Sequence, residues 1–202
     1  MKKRLFTFLV LALSAIALGI NVLAQNENDP SARQTGDGLH HDGLHTLVYD
    51  VACDARTFRL NKSGTLMDAR RGDGFIVQGK IYPGGTIPPG GTMENPGPFN
   101  PDTAPGNIGN WVCRGTFSFD ISEILAGSHP HLYSAQYHLF DDGKGLVHEG
   151  PEGGAPQLRA VIGGMGGFIG AAGEVLEEPI GVNSTGLFNI RHTFKIKRKS
   201  LQ

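Results

Sequence analysis

The sequence predicts an all-β protein, an eight-stranded antiparallel up-and-down β-barrel, and three observations carry that prediction. Short runs of β-branched and aromatic residues recur with turn residues between them, their apolar side chains alternate with a period of two, and no stretch has the spacing of an amphipathic helix. The pattern pivots on Gln157 to Leu176, where two apolar runs are joined by a cluster of glycines. Leu158, Val161 and Ile162 precede the break and Phe168, Ile169, Val175 and Leu176 follow it, which reads as a hairpin. Gly163, Gly164, Gly166 and Gly167 are expected to supply the positive-φ positions of the reversal, and Gly170 to Gly173 to let the next strand bend or approach a neighbour. A phosphate loop is excluded, because no Lys-Ser/Thr follows and the next residues favour a strand.

Taken in order, Leu44 to Ala52 is the first expected strand, with Arg56 to Asn61 extending it past a bend. Asp73 to Tyr82 is the second, and Phe75, Val77 and Ile81 share one face of it. The segment from Pro83 to Gly109 is dominated by Pro and Gly and reads as a long loop, either a functional lid or a mobile connection. Asn110 to Asp120 gives the clearest alternation: Trp111, Cys113, Phe117 and Phe119 lie on one face, Arg114, Thr116 and Ser118 on the other. Leu132 to Phe140 follows, then a turn at Asp141-Asp142-Gly143 into a short strand near Leu146 to Glu149. Leu187 to Ile196 closes the fold, with Phe188, Ile190, His192, Phe194 and Ile196 on its apolar side. A barrel of this strand number is just wide enough to be filled by side chains or to hold one small ligand.

Both ends fall outside this pattern. Residues 1–24 have Lys2, Lys3 and Arg4 ahead of an apolar run and small residues at Val22-Leu23-Ala24, the layout of a cleavable signal peptide. A secreted or periplasmic protein with no stable membrane anchor after cleavage is therefore expected. Residues 25–43 read as a disordered leader carrying His40 and His41, residues 44–197 as the barrel domain, and residues 198–202 as a basic tail. The formal net charge is −1, and removing Lys2, Lys3 and Arg4 takes it to −4, which argues against nucleic acid as a partner. Cys53 and Cys113 are the only cysteines, and export makes a disulfide between them the expectation, a link worth about 4 kcal/mol if unstrained.

The run Arg159 to Val175, RAVIGGMGGFIGAAGEV, is similar to the glycine hairpin shared by plant allene oxide cyclases and dirigent proteins, whose calycin-like fold is an eight-stranded antiparallel barrel. Tyr137 to Gly150 resembles the segment before that hairpin, and Val48 to Asp50 resembles the start of the first barrel strand. The resemblance covers roughly residues 44–197 and is more specific for the superfamily than for any activity within it. In the cyclases a first-strand glutamate, with a nearby asparagine and proline, handles an epoxide or an ordered water. The glutamate position falls on Asp50, the asparagine on Ala52 and the proline near Arg59, while Met165 stands where dirigent turns typically carry threonine. The resemblance thus implies Asp50 as a catalytic carboxylate, Cys113 as the counterpart of a cavity cysteine, and a homo-oligomer, trimer or dimer.

Trp111, Cys113, Phe117, Phe119, Tyr137 and His192 are the candidate lining of a pocket for a small lipophilic or phenolic ligand, with ordinary core as the alternative reading. His138 and His148, with Glu149 beside the latter, have no diagnostic ligand spacing, so neither metal nor cofactor is assigned. Ser118 and Ser134 lack the glycine elbow of a hydrolase nucleophile. Three functions stay open: a ligand-binding barrel that steers a reaction without classical catalysis, an allene oxide cyclase-type isomerase acting on an oxidised lipid or related epoxide through Asp50, and an exported barrel that is purely structural.

Overall fold

The computed structural model describes residues 44–128, 130–153 and 155–197. The expected signal peptide (1–24), the leader (25–43) with His40 and His41, and the basic tail (198–202) lie outside the described residues. Eight strands, β1 (Leu44–Leu60), β2 (Gly74–Pro83), β3 (Gly109–Phe117), β4 (Leu132–Phe140), β5 (Gly145–Glu152), β6 (Gln157–Met165), β7 (Ala172–Val182) and β8 (Phe188–Lys197), follow in chain order. Each pairs antiparallel with the next, and β8 pairs back to β1, so the sheet closes on itself and leaves no free edge. The only α-helix among the described residues is the single turn α1 (Ile121–Leu125).

Register fixes which side chains face the lumen, because residues opposite one another across a ladder point to the same face. Tyr49 pairs with His192 and Val51 with Ile190, and these side chains point inward. The neighbouring pairs, Asp50 with Arg191 and Asp50 with Tyr82, therefore face outward. One end of the lumen is filled by Phe75, Val77, Trp111, Phe117 and Ile190, with Ile124 of α1 and Leu66 closing over them. The other end is filled by Leu146, Val161, Phe168, Phe194 and Ile196.

The glycine hairpin forms, with its reversal later than the sequence suggests. Gly163 and Gly164 belong to β6, and the left-handed positions are Gly166 (φ 60°) and Gly170 (φ 74°). Gly164 is small for a different reason: a Cβ there would lie 2.5 Å from the carbonyl oxygen of Phe168. That closeness lets the 3-10 turn Gly166–Phe168 fold back and drop Phe168 into the barrel end.

The Pro/Gly-rich segment, residues 84–108, is neither a lid over the mouth nor a loose connection. It is a strap across the outer wall, where Ile87, Phe99 and Ala104 pack on Ala52, Tyr82 and Ile180. Gly90 N donates to Ile180 O at 2.8 Å, Val182 N to Gly90 O at 3.0 Å and Gly97 N to Val182 O at 2.8 Å. These bonds occupy the part of β7 that runs beyond its pairing with β6. Gly181 makes the approach feasible, since a Cβ at its φ of 144° would sit 1.8 Å from Gly90 O.

The expected Cys53–Cys113 disulfide is not made: both thiols are free and buried. Cys53 is on β1 and Cys113 on β3, with β2 between them. Two strand spacings separate their backbones by about 9.6 Å, beyond the roughly 7 Å that a disulfide spans. Burial pushes both thiols well above their ordinary range, and Glu152 adds to the effect, so they behave as small apolar groups.

Candidate functional site

Between the two apolar plugs the lumen carries a polar belt. Gln136 (β4), Glu152 (β5), Arg159 (β6) and Glu177 (β7) project inward at the same level because each shares parity with apolar lumen residues of its strand, as Arg159 does with Val161 and Glu177 with Val175. Gln136 Nε2 donates to Glu152 Oε1 and to Glu177 Oε2, each at 2.7 Å, and Gln136 Oε1 accepts Trp111 Nε1–H at 2.9 Å. Arg159 Nη1 donates to Glu152 Oε1 at 2.9 Å and lies 3.3 Å from Glu177 Oε2, while its Nη2 donates to Ser134 O and Oγ. The Ser134 hydroxyl also donates to Glu152, and the Cys113 thiol contacts the same oxygen at 3.4 Å.

Arg159 and Glu177 are almost fully buried, whereas the Glu152 side chain keeps 18% of its exposure, so the belt touches solvent through Glu152. Removing charges from water costs several kcal/mol per ion, which only close pairing and further hydrogen bonds offset. Burial raises the proton affinity of Glu177 above the ordinary carboxylate range, and Arg159 and Gln136 counter that in part.

Three imidazoles stand against this belt. His138 (β4), His148 (β5) and His192 (β8) are fully buried, with ring centroids 4.9 Å apart for His138–His192, 5.2 Å for His148–His192 and 5.4 Å for His138–His148. Phe194 packs beside all three, and Tyr49 and Phe140 flank His138. None of their six ring nitrogens has a hydrogen-bond partner among the described residues. His192 Nε2 lies 3.4 Å from Glu177 Oε2, outside hydrogen-bond geometry. Desolvation holds all three rings neutral, bringing His192 down to about 3, with the Arg159 charge acting in the same direction; the contact with Glu177 is therefore not an ion pair. Each unsatisfied buried polar group costs about 1–3 kcal/mol, and an apolar ring would fill the same space without that cost.

The sequence-derived candidates divide between the two faces of the wall. Trp111, Cys113, Phe117 and His192 point into the lumen as expected. Phe119 lies past the end of β3, packed against the plug near α1 with the Arg71 guanidinium 5.2 Å from its ring. Tyr137 is outside: it pairs with Val112 and Val147, and the Arg114 guanidinium lies 5.4 Å from its ring on the outer surface. Asp50 also faces outward, away from the lumen that a catalytic carboxylate would have to enter. Fully buried beneath the strap, it accepts Gly85 N and Ile87 N at 2.9 and 3.0 Å and Arg191 Nε and Nη2 at 2.8 and 3.1 Å. Glu149 is on the outer wall as well, opposite Ala135 and Ala160, so it does not join His138 and His148. Local spacing does not single out Gln136, Glu152, Arg159 and Glu177 as site residues; the signal for them is charge at lumen parity in β6 and β7.

Two surface depressions, of about 550 and 440 Å³, lie around Arg114, the first between the end of β1, β2 and β3 and the second on β3 to β6, and none of the three histidines lines either. No family model and no curated protein sequence matches the chain. Solved structures do. The pterocarpan synthase dirigent protein PsPTS1 superposes with a TM-score of 0.55 at 13% identity, covering 78% of this chain and 96% of that one. A second, GePTS1, gives 0.50 at 13% identity over 86% and 96%. A pyocyanin demethylase gives 0.46 at 16% identity over 75% and 99%. The two dirigent proteins show the fold this chain shares with them, a closed eight-stranded antiparallel barrel.

Proposed function

We propose that this barrel handles a small, largely apolar molecule, lipophilic or phenolic, at the polar belt of its lumen and directs that molecule's reaction there. The observation that carries the reading is Glu177, a carboxyl group buried in the barrel centre with raised proton affinity, in contact with a guanidinium, an amide and a neutral imidazole. A group so placed can take a proton from one atom of a bound ligand and return it to another, an isomerisation with no net change in composition. Arg159 would stabilise the negative charge that develops between the two transfers. The fold neighbours support the reading to the extent that their names join this fold to a pterocarpan synthase. The ligand would enter past Glu152, and the reading includes export after loss of residues 1–24.

The competing reading is a barrel filled for structure alone, favoured by the fully buried side chains of both plugs. Native mass spectrometry of protein purified from its own host, together with Trp111 fluorescence titration by 2-naphthol, separates the two. A copurified molecule at one per chain, or saturable 2-naphthol binding weakened at least tenfold by Arg159→Met, is the expected result. Neither a copurified molecule nor saturable binding would establish the filled barrel instead.

A further inference from the structure

His138 and His148 come from adjacent strands and His192 from β8, which the closed barrel places across the lumen from them. One ring nitrogen from each lies within 4.8 Å of the other two, and all three side chains are fully buried. Their ring nitrogens make no hydrogen bond within the described residues, and the shell around them is apolar apart from the belt. Packing alone gives no reason for three imidazoles here, since phenylalanine or leucine would fill the same volume without buried unpaired nitrogens.

We infer that His138, His148 and His192 form a three-nitrogen site for a divalent first-row transition ion at the centre of the barrel, with zinc as the reference ion. The donor set selects the metal class. Neutral imidazoles suit zinc, cobalt, nickel and copper, whereas magnesium and calcium take oxygen ligands. Bonds of 2.0–2.1 Å in a tetrahedral site put ligand nitrogens about 3.3 Å apart. The ring nitrogens would therefore close by up to about 1.5 Å from the widest spacing of 4.8 Å, a movement within reach of side-chain rotation.

Two further features fit. Glu177, 3.4 Å from His192 Nε2, stands where ligating histidines commonly find the carboxylate that fixes their orientation. The belt also brings two carboxyl groups, Glu152 and Glu177, against one guanidinium, Arg159, a balance that offsets part of a dication's charge. Three protein ligands leave a fourth position for water or for a ligand oxygen, the arrangement of catalytic rather than structural zinc sites.

The test uses the full-length chain freed of metal with EDTA and titrated with Zn²⁺ by calorimetry and with Co²⁺ by visible absorption. One equivalent per chain is expected, with the d–d bands of four-coordinate cobalt. His148→Gln and His192→Gln should each weaken binding at least about 100-fold, and Glu177→Gln by about tenfold, the effect typical of an orienting partner. His40→Ala/His41→Ala, outside the described residues, should leave the stoichiometry and the cobalt spectrum unchanged. Circular dichroism checks each variant's fold, and Glu177→Gln supplies the comparison if a histidine variant does not fold. Absence of stoichiometric binding, binding insensitive to the folded variants, or binding lost with His40 and His41 would overturn the site. 2-Naphthol binding is read on the same metal-free protein, so failure of the metal site and failure of the ligand reading are separate results.

Discussion

Asp50 and Glu177 are both buried carboxyl groups paired with arginine, and they differ in what surrounds them. Every contact of Asp50 is a direct hydrogen bond: two to strap amides and two to Arg191. Glu177 shares Arg159 with Glu152, takes a hydrogen bond from Gln136 and leaves an imidazole at 3.4 Å without bonding it. The outer pair is saturated and acts as a fastening for the strap. In the lumen, by contrast, polar atoms are held ready without being consumed by the fold. The same residue types thus have their bonding capacity exhausted on the outer wall and only partly used in the lumen.

The sharpest way to break this comparison is Asp50→Ala, which leaves Arg191, the buried Ile87 amide and the more exposed Gly85 amide without their partner. A loss of about 3–5 kcal/mol in urea-unfolding stability is expected. A loss under about 1 kcal/mol would remove the distinction between fastening and reserve.

Next comes the acid limb of metal-free protein. The His192 ring titrates near 3 in the fold, against 6.5 as its ordinary value, and burial lowers His138 and His148 as well. Between those pH values the unfolded chain binds protons that the native state refuses, so stability is present above about pH 6.5 and is lost as pH falls. Each ring contributes a slope of about 1.4 kcal/mol per pH unit inside its window. His192→Gln should remove one ring's share, read from urea midpoints between pH 7 and pH 4.

Glu177→Gln should change stability at neutral pH by less than about 1.5 kcal/mol, because it removes the desolvation cost together with the pairing. Its sign runs opposite to that of the histidines: a raised carboxyl contributes stability below its unfolded value that is lost as pH rises through its folded one. The variant should therefore flatten the decline of wild-type stability on the alkaline side of pH 4.5. The smallest effect is on thiol chemistry. Denatured, unreduced protein should show two thiols to Ellman's reagent, and native protein none, as buried neutral thiols require.

Much of the barrel was legible because alternation survives wherever one face is wet. β3 shows this best: Trp111, Cys113 and Phe117 face inward and Arg114 outward, as their spacing says. On β1 the signal fails, since the strap covers the outer wall and Asp50, Val51, Ala52 and Cys53 are all buried. The resemblance implies Asp50 as a catalytic carboxylate, and the ladder turns it to the outer wall. β6 misleads in the other direction, with Leu158 and Ile162 exposed and Arg159 buried, so hydrophobicity marks the wrong face. The histidine triad and the belt depend on which strands meet across the lumen. His192 approaches His138 and His148 only because β8 returns to β1, and local spacing holds no record of that closure.

That closure joins the first and last strands of the barrel. During synthesis the seam between β1 and β8, the Asp50–Arg191 clasp and the third imidazole must all wait for the last ten residues of the barrel to emerge. A nascent chain halted before Phe188 would hold an open curled sheet with two bare edges and no enclosed interior. The enclosed histidine triad therefore arrives with topological completion and not before it.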